Sequence, residues 1–254
     1  MNRSLATALE RLLADRPVLL AFDFDGVLSP LVDVPSQARA LPGSTDLLTE
    51  IAAAHGIYVA LVSGRALASL TEASETPPGS PLLLVGSHGA EYAADPAAQG
   101  LSALDEPAER LLASLTAAFE QIAGSHDGVR VETKPTGVVL HTRLADPAAA
   151  ELSTQAALAA VELIGGHVTQ GKQVVEVAVV ETGKGIALDR LRQQVGAVGV
   201  LYAGDDVTDE NAFKVLRDGD VGIKVGEGPT AAAHRVADPA EMQQVLRHLA
   251  ALAG

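Results

Sequence analysis

Short apolar segments recur along the chain and alternate with segments in which apolar residues have helical spacing. The first three predicted strands, residues 18–23, 57–62 and 82–85, are followed by two more near the C-terminus, residues 199–203 and 221–225. Apolar side chains at successive positions predict strands that are buried on both faces, as in a parallel sheet. With helices between them, these strands predict an α/β fold with a doubly wound parallel sheet. The helices predicted around this sheet are residues 4–14, 44–55, a segment starting near Ala66, 184–195, 207–216 and 240–252.

The middle of the chain follows a different pattern. Residues 129–134 and 138–143 alternate polar and apolar positions on either side of a Pro-Thr-Gly turn. This alternation predicts an antiparallel hairpin with one face in solvent. A second hairpin is predicted at residues 167–180, and each hairpin follows a predicted helix, residues 107–123 and 147–164.

The two patterns divide the chain into two domains. The α+β segment, residues 93–178, interrupts the alternation of strands and helices, which resumes after it. We therefore predict a core domain formed by residues 1–92 and 179–254, into which the α+β segment is inserted as a cap. Residues 95–100, which contain Pro, Ala and Gly, are predicted to form a loop within the cap segment.

Composition and charge exclude several classes of function. The 254 residues carry a net charge of −14 and only 3% aromatic residues, which disfavours a nucleic acid partner. The absence of cysteine excludes disulfides, thiolate nucleophiles and Cys-ligated zinc. No apolar run reaches the length of about 18 residues that a membrane helix needs, and the amphipathic N-terminal segment does not have the pattern of a signal peptide. We therefore expect a cytoplasmic, soluble monomer that binds neither nucleic acid nor a membrane.

Polar and charged residues follow the predicted strands directly. Asp23 and Asp25 lie at the end of the first strand, Ser63 follows the second, His88 follows the third, and Asp205 follows the strand at residues 199–203. Functional groups of a doubly wound sheet collect where its parallel strands end, so we expect these side chains at one edge. A cluster of carboxylate oxygens suits a hard cation such as Mg²⁺. The predicted metal ligands are Asp23, Asp25, Asp205 and Asp206.

The same residue types suit phosphoryl transfer. A carboxylate such as Asp23 can attack phosphorus and form an aspartyl phosphate. Asp25 can protonate the leaving oxygen and then deprotonate water. The Ser63 hydroxyl and the Gly64 amide can hold phosphate oxygens. Lys184 begins a predicted helix, where a cation is disfavoured, so it is predicted to have an anionic partner and to serve both phosphate binding and catalysis.

Four motifs, in this order along the chain, resemble those of the haloacid dehalogenase-like phosphatases. They are Asp23-Phe24-Asp25-Gly26-Val27-Leu28, Ser63 after a strand, Lys184-Gly185, and Gly204-Asp205-Asp206-Val207-Thr208-Asp209-Glu210. Within that superfamily, Ser63-Gly64-Arg65, residues 86–91, residues 170–176 and the last of the four motifs resemble trehalose-6-phosphate phosphatases. The resemblance extends over residues 18–226. It implies a Rossmann-like core with an inserted cap, Mg²⁺ as cofactor, and trehalose 6-phosphate as a small-molecule substrate.

The resemblance also implies roles for individual residues. Asp23 would be the nucleophile and a metal ligand, and Asp25 would be the general acid and base, with its backbone carbonyl on the metal. Asp205 would bind the metal with support from Asp206 or Asp209. Ser63 and Lys184 would bind phosphate. The predicted substrate-binding residues are Arg65, His88, Glu132, Lys134, Arg143, Lys172 and Glu176.

Other interpretations stay open. His88 also fits a structural role in a buried turn, and the charged residues of the hairpins fit cross-strand ion pairs on a solvated face. A phosphatase of the same fold that acts on sucrose phosphate or mannosyl-3-phosphoglycerate is an alternative, against which Asp206 and Thr208 argue. A non-catalytic signalling module, in which Asp23 only accepts phosphate, is a second alternative. The predicted cap and Asp25 argue against it.

Overall fold

A computed structural model describes residues 2–93, 104–171 and 173–254. Its helices are α1 Arg3–Ala14, α2 Ser44–Ala52, α3 Leu67–Ala73, α4 Glu106–Gly124, α5 Pro147–Ile164, α6 Lys184–Val195, α7 Glu210–Phe213 and α8 Pro239–Ala253. Its strands are β1 Val18–Phe22, β2 Ile57–Val62, β3 Leu83–Gly86, β4 Glu91–Tyr92, β5 Arg130–Lys134, β6 Gly137–His141, β7 His167–Gly171, β8 Val174–Ala178, β9 Gly199–Gly204, β10 Val221–Val225 and β11 His234–Val236.

The chain divides into two compact units. The core unit is Met1–Leu101 with Thr182–Gly254, and the inserted unit is Ser102–Glu181. From the sequence, these divisions are predicted after residues 92 and 178. The loop predicted at residues 95–100 lies outside the described residues. Among the described helices, none is both long and apolar enough to cross a membrane.

The sheet of the core unit has β1 at its centre. The strand order is β11-β10-β9-β1-β2-β3-β4, and β1 pairs in parallel with β2 on one side and with β9 on the other. All five residues of β1 are buried. Leu20 and Phe22 belong to the apolar cluster that includes α1, α2 and α8, whereas Leu19 and Ala21 belong to the cluster that includes α6 and α7. Helices therefore cover both faces, and the predicted doubly wound α/β fold is confirmed.

Three local features differ from the sequence-based prediction. The short strands β4, which is antiparallel to β3, and β11 were not predicted. A helix was predicted over residues 207–216, but only α7 forms there. The reason is that the Asp209 carboxylate accepts hydrogen bonds from the backbone N–H groups of Asp205 and Asp206. These bonds hold the preceding residues in a turn, so the helix cannot begin before Glu210.

The inserted unit packs two helices against one face of an antiparallel sheet. The strand order is β5-β6-β8-β7. Each helix has an aspartate, Asp105 or Asp146, as its N-cap. The side chain of that aspartate accepts a hydrogen bond from a backbone N–H of the first helical turn, and a proline follows within the same turn. Leu115 and Phe119 of α4 pack with apolar residues of β6 and β8, such as Leu140. Residues at the alternating positions, among them His141 of β6 and Glu176 of β8, lie on the opposite face.

Candidate active site

The carboxyl ends of β1, β2 and β9 form one wall of a cavity of about 520 Å³ in the core unit. Asp23 follows β1, and its N–H donates to Ala203 O of β9 at 2.9 Å. Ser63 follows β2 and Asp205 follows β9. Because β2 and β9 lie on opposite sides of β1, this is the point where the chain changes direction across the sheet, and such points form crevices. The cavity is lined by Asp23, Asp25, Ser63, Gly64, Arg65, His88, Lys184, Asp205 and Asp206, together with Leu31, Val32, Pro35 and Thr208.

A group of acidic side chains surrounds one buried lysine. Carboxylate oxygens of Asp23, Asp205 and Asp209 lie within 4.8 Å of one another. The Lys184 ammonium donates to Asp23 Oδ2 at 2.7 Å and to Asp209 Oδ1 at 2.6 Å. Gly26 leaves room for the group, because a Cβ atom at this residue would lie 2.1 Å from Asp205 Oδ2. The glycine after the two aspartates of the first motif is therefore required by the close approach of Asp205.

Two carboxyl groups of the cluster, those of Asp23 and Asp205, have raised pKa values, chiefly because they are buried. Burial, opposed by the charge of Lys184, raises the pKa of Asp23 from 3.8 to about 7. Burial and the nearby charge of Asp209 raise the pKa of Asp205 to about 6. Carboxylates that resist ionisation in this way are stabilised by a cation. An all-oxygen donor set of this kind fits a hard divalent ion.

We predict that the stability of the metal-free protein depends on pH in a specific direction. Because folding raises the pKa of Asp23 and of Asp205, both favour the folded state while protonated. Their contribution is lost as the pH rises through about 6 and about 7. The increase in melting temperature caused by Mg²⁺ should therefore be larger at about pH 8 than at about pH 5.

Differential scanning calorimetry of the EDTA-treated protein, with and without added Mg²⁺, measures this effect. The control is Asp218→Asn, which removes an exposed carboxylate outside the cavity and should leave the pH dependence of the Mg²⁺-induced shift unchanged. A Mg²⁺-induced shift that is equal at both pH values in the unmodified protein would contradict the prediction.

Asp209 and Asp206 differ in their surroundings. Asp209 is fully buried, and both of its carboxylate oxygens accept hydrogen bonds from the protein. Asp206 is exposed, and its Oδ1 accepts a hydrogen bond from Val207 N at 2.6 Å. Asp206 lines the cavity but does not belong to the group of three neighbouring carboxylates. Its assignment as a metal ligand stays a prediction.

Arg65 lines the cavity, and its guanidinium binds the Asp25 carboxylate. Its Nε donates to Asp25 Oδ2 at 2.6 Å and its Nη2 donates to Asp25 Oδ1 at 2.7 Å. The guanidinium carbon lies 5.6 Å from the centroid of the Phe24 ring. A planar guanidinium that binds both oxygens fixes the orientation of a carboxylate. From the sequence, Arg65 is predicted to bind substrate; its pairing with Asp25 was not predicted.

His88 occupies a strained turn at the end of β3. Its backbone is left-handed, with φ 54° and ψ 32°, and its N–H donates to Ser63 O at 2.9 Å. The imidazole lies so close to Gly64 that a Cβ atom there would be 2.5 Å from His88 Cε1. Burial and the charge of Lys184 lower the pKa of His88, which favours the neutral ring. His88 therefore both lines the cavity and supports the turn formed by Ser63 and Gly64.

The predicted sugar-binding residues lie on the inserted unit. Lys134 Nζ donates to Glu176 Oε1 at 2.6 Å, and Glu132 Oε2 lies 2.8 Å from His141 Nε2. The first contact is an ion pair of the kind that the alternative interpretation describes, and the second is a hydrogen bond on the same face. Arg143 is exposed. Lys172, the remaining predicted residue, lies outside the described residues.

Two buried polar residues that contact the acidic cluster were not predicted from the sequence. Tyr202, which is buried, donates from its hydroxyl to Asp209 Oδ1 at 2.6 Å. Lys224, also buried, donates to the backbone carbonyl of Asp205. A lysine within the apolar strand β10 is a recognisable signal, since a buried cation needs a polar partner. For Tyr202 the only signal is that a buried tyrosine hydroxyl usually has a hydrogen-bond partner.

Comparison with known proteins identifies relatives over nearly the whole chain. A family model described as trehalose-phosphatase matches residues 21–245. The trehalose-phosphate phosphatase of Mycobacterium avium (strain 104) is 36% identical over 94% of this chain and 63% of its own length. That of Mycobacterium leprae (strain TN) is 33% identical over 94% of this chain and 58% of its own length. The chain thus spans less than two thirds of these relatives.

A solved structure is similar along its full length. The structure of Aspergillus fumigatus trehalose-6-phosphate phosphatase superposes with a TM-score of 0.67 at 25% sequence identity. The match covers 99% of this chain and 98% of the fungal one.

Proposed function

We propose that this chain, which belongs to the trehalose-phosphatase family, hydrolyses trehalose 6-phosphate to trehalose and phosphate. The observation that carries the reaction type is the pair formed by Asp23 and Lys184 in a cavity that Asp25 also lines. The identity of the sugar is supported by the names of the relatives. We also propose that the protein acts as a monomer in the cytoplasm.

The reaction proceeds in two steps on Asp23. A carboxylate oxygen of Asp23 attacks phosphorus, the bond between phosphorus and the sugar oxygen breaks, and Asp25 gives its proton to that oxygen. Water then attacks the aspartyl phosphate while Asp25 takes a proton from it. Phosphate leaves, and the Asp23 carboxylate and the protonated Asp25 are restored.

The groups around Asp23 are suited to holding a phosphate. Lys184 uses two of its three protons on Asp23 and Asp209, and the third can be donated to a phosphate oxygen. The Ser63 hydroxyl and the Gly64 N–H are proposed to bind the other phosphate oxygens. The residues that would hold Mg²⁺ are Asp23, Asp205 and Asp25, the last through its backbone carbonyl, with Asp206 nearby, and the ion would supply charge neutralisation for the phosphate.

Arg65 is proposed to act through Asp25. The two hydrogen bonds from its guanidinium hold the Asp25 carboxyl group in one orientation, and the proton is given and taken at the lone pair of a carboxyl oxygen that Arg65 does not use. This differs from the direct contact with substrate that the sequence analysis assigned to Arg65.

The inserted unit is proposed to bind the sugar. Glu132, Lys134, Arg143 and Glu176, with Lys172, present both donors and acceptors, which a disaccharide rich in hydroxyl groups requires. The ion pairs seen on this face would exchange partners with sugar hydroxyls. Because those side chains are partly exposed, their ion pairs are weak and such an exchange costs little.

Phosphate release from a panel of sugar phosphates tests the proposal. The panel contains trehalose 6-phosphate, sucrose 6-phosphate, mannosyl-3-phosphoglycerate and glucose 6-phosphate, each with Mg²⁺, with EDTA, and with Mg²⁺ restored. We expect kcat/KM for trehalose 6-phosphate to exceed the others by about 10-fold or more. EDTA should abolish turnover and excess Mg²⁺ should restore it. A better substrate elsewhere in the panel would refute the sugar assignment, and a stable phosphorylated chain without turnover would favour a signalling module.

A further inference from the structure

The buried carboxylate of Asp209 connects two parts of the catalytic cavity. Its Oδ1 accepts from Lys184 Nζ and from the Tyr202 hydroxyl, each at 2.6 Å. Its Oδ2 accepts from the backbone N–H groups of Asp205 and Asp206, each at 2.9 Å. An ionised carboxylate offers about four acceptor positions, so these four donors occupy all of them. Asp209 therefore has no free acceptor position for a metal, although it lies beside Asp23 and Asp205.

Tyr202 reaches this carboxylate from within the apolar core. It lies on β9, has no exposed surface, and packs edge to face against Phe213 with ring centroids 5.6 Å apart. Burial and the charge of Asp209 raise the pKa of Tyr202 well above its usual value of 10. The hydroxyl therefore keeps its proton and donates a hydrogen bond to Asp209.

The geometry shows what the hydroxyl adds to the packing of the ring. A phenylalanine would fill the same apolar position, so the ring alone does not explain the tyrosine. With two donors on each oxygen, the Asp209 carboxylate is fixed against rotation. Without the Tyr202 hydroxyl, Oδ1 is held only by Lys184, the side chain that also pairs with Asp23. Any rotation of Asp209 then moves both Lys184 and the backbone of Asp205.

We propose that Tyr202 is a positioning residue for the catalytic site, which acts through Asp209 on Lys184 and on the turn that presents Asp205. Its effect on turnover rests on the proposed phosphatase function. Its effect on the turn that presents Asp205 does not rest on that function, because Asp205 is proposed to hold the metal whatever the substrate is.

The variant Tyr202→Phe removes only the hydroxyl. We expect its dissociation constant for Mg²⁺, measured by calorimetry without substrate, to rise by about 10-fold, which is the effect of losing one hydrogen bond to a charged group. We expect kcat/KM for trehalose 6-phosphate to fall by a similar factor. The control is Tyr58→Phe, which removes a hydroxyl from a partly buried tyrosine on β2 beside the same apolar cluster. It should leave both quantities unchanged when all proteins are compared well below their melting temperatures.

A purely structural role for Tyr202 gives a different result. In that case the melting temperature of Tyr202→Phe falls while Mg²⁺ affinity and kcat/KM equal those of the unmodified protein, and the proposal is wrong. Equal effects of the two substitutions would also overturn it. If the unmodified protein does not hydrolyse trehalose 6-phosphate, the proposed function fails, and the Mg²⁺ titration alone decides the role of Tyr202.

Discussion

Replacement of Asp23 by asparagine is expected to reduce turnover of trehalose 6-phosphate by roughly 10⁴-fold or more, because the amide cannot form the aspartyl phosphate. The substitution is nearly isosteric, and the amide oxygen can still accept a hydrogen bond from Phe24 N or from Lys184. The loss should therefore appear in kcat under saturating substrate. Steady-state phosphate release in Mg²⁺ measures it.

The same variant should not be less stable in the absence of metal. Burial disfavours the charged form of Asp23, and Asp209 adds a repulsion of like charges. Asparagine removes both effects, so the metal-free variant should melt at or above the temperature of the unmodified protein at about pH 8. This combination of lost activity and kept stability separates a catalytic role from a structural one.

Asp218→Asn is the matched control for the first prediction. Asp218 is an exposed carboxylate of the same unit, and replacing it should change neither turnover nor stability appreciably. If Asp23→Asn keeps more than a small fraction of the activity, or if Asp218→Asn loses as much, Asp23 is not the nucleophile.

The strands that carry the site could be predicted because their sequences are distinctive. β1, β2 and β9 are largely buried runs of mostly apolar residues, and each is followed directly by a polar or charged residue that would be disfavoured in the core. Given a parallel sheet, the rule that functional groups lie at carboxyl ends places Asp23, Ser63 and Asp205 together. For this part of the site, local pattern and topology are sufficient.

The contacts between these residues could not be predicted in the same way. Arg65 and Asp25 are 40 positions apart, and Lys184 and Asp23 are 161 apart. Whether an arginine binds a substrate or a neighbouring carboxylate depends on the directions of side chains, which the periodicity of the sequence does not contain.

The predicted helix at residues 207–216 was wrong for a related reason, since Asp209 uses its carboxylate to hold a turn. Two-residue β4 and three-residue β11 are too short to show a pattern.

Replacement of Asp25 by asparagine is expected to separate the two chemical steps. A sugar oxygen is a poor leaving group that needs a proton from Asp25, so turnover of trehalose 6-phosphate should fall by about 10²- to 10⁴-fold. Nitrophenolate leaves without that proton, so p-nitrophenyl phosphate should still phosphorylate the enzyme. The second step then slows, because no base activates the attacking water, and the phosphorylated form should accumulate.

Mass spectrometry of Asp25→Asn after acid quenching of its reaction with p-nitrophenyl phosphate tests most directly that Asp23 transfers the phosphoryl group. Asp23→Asn, treated in the same way, is the control that should remain unmodified. The account predicts a burst of nitrophenolate close to one equivalent per chain and a single phosphoryl group located on Asp23. A chain that turns over without a burst, or a phosphoryl group on any other residue, would contradict it.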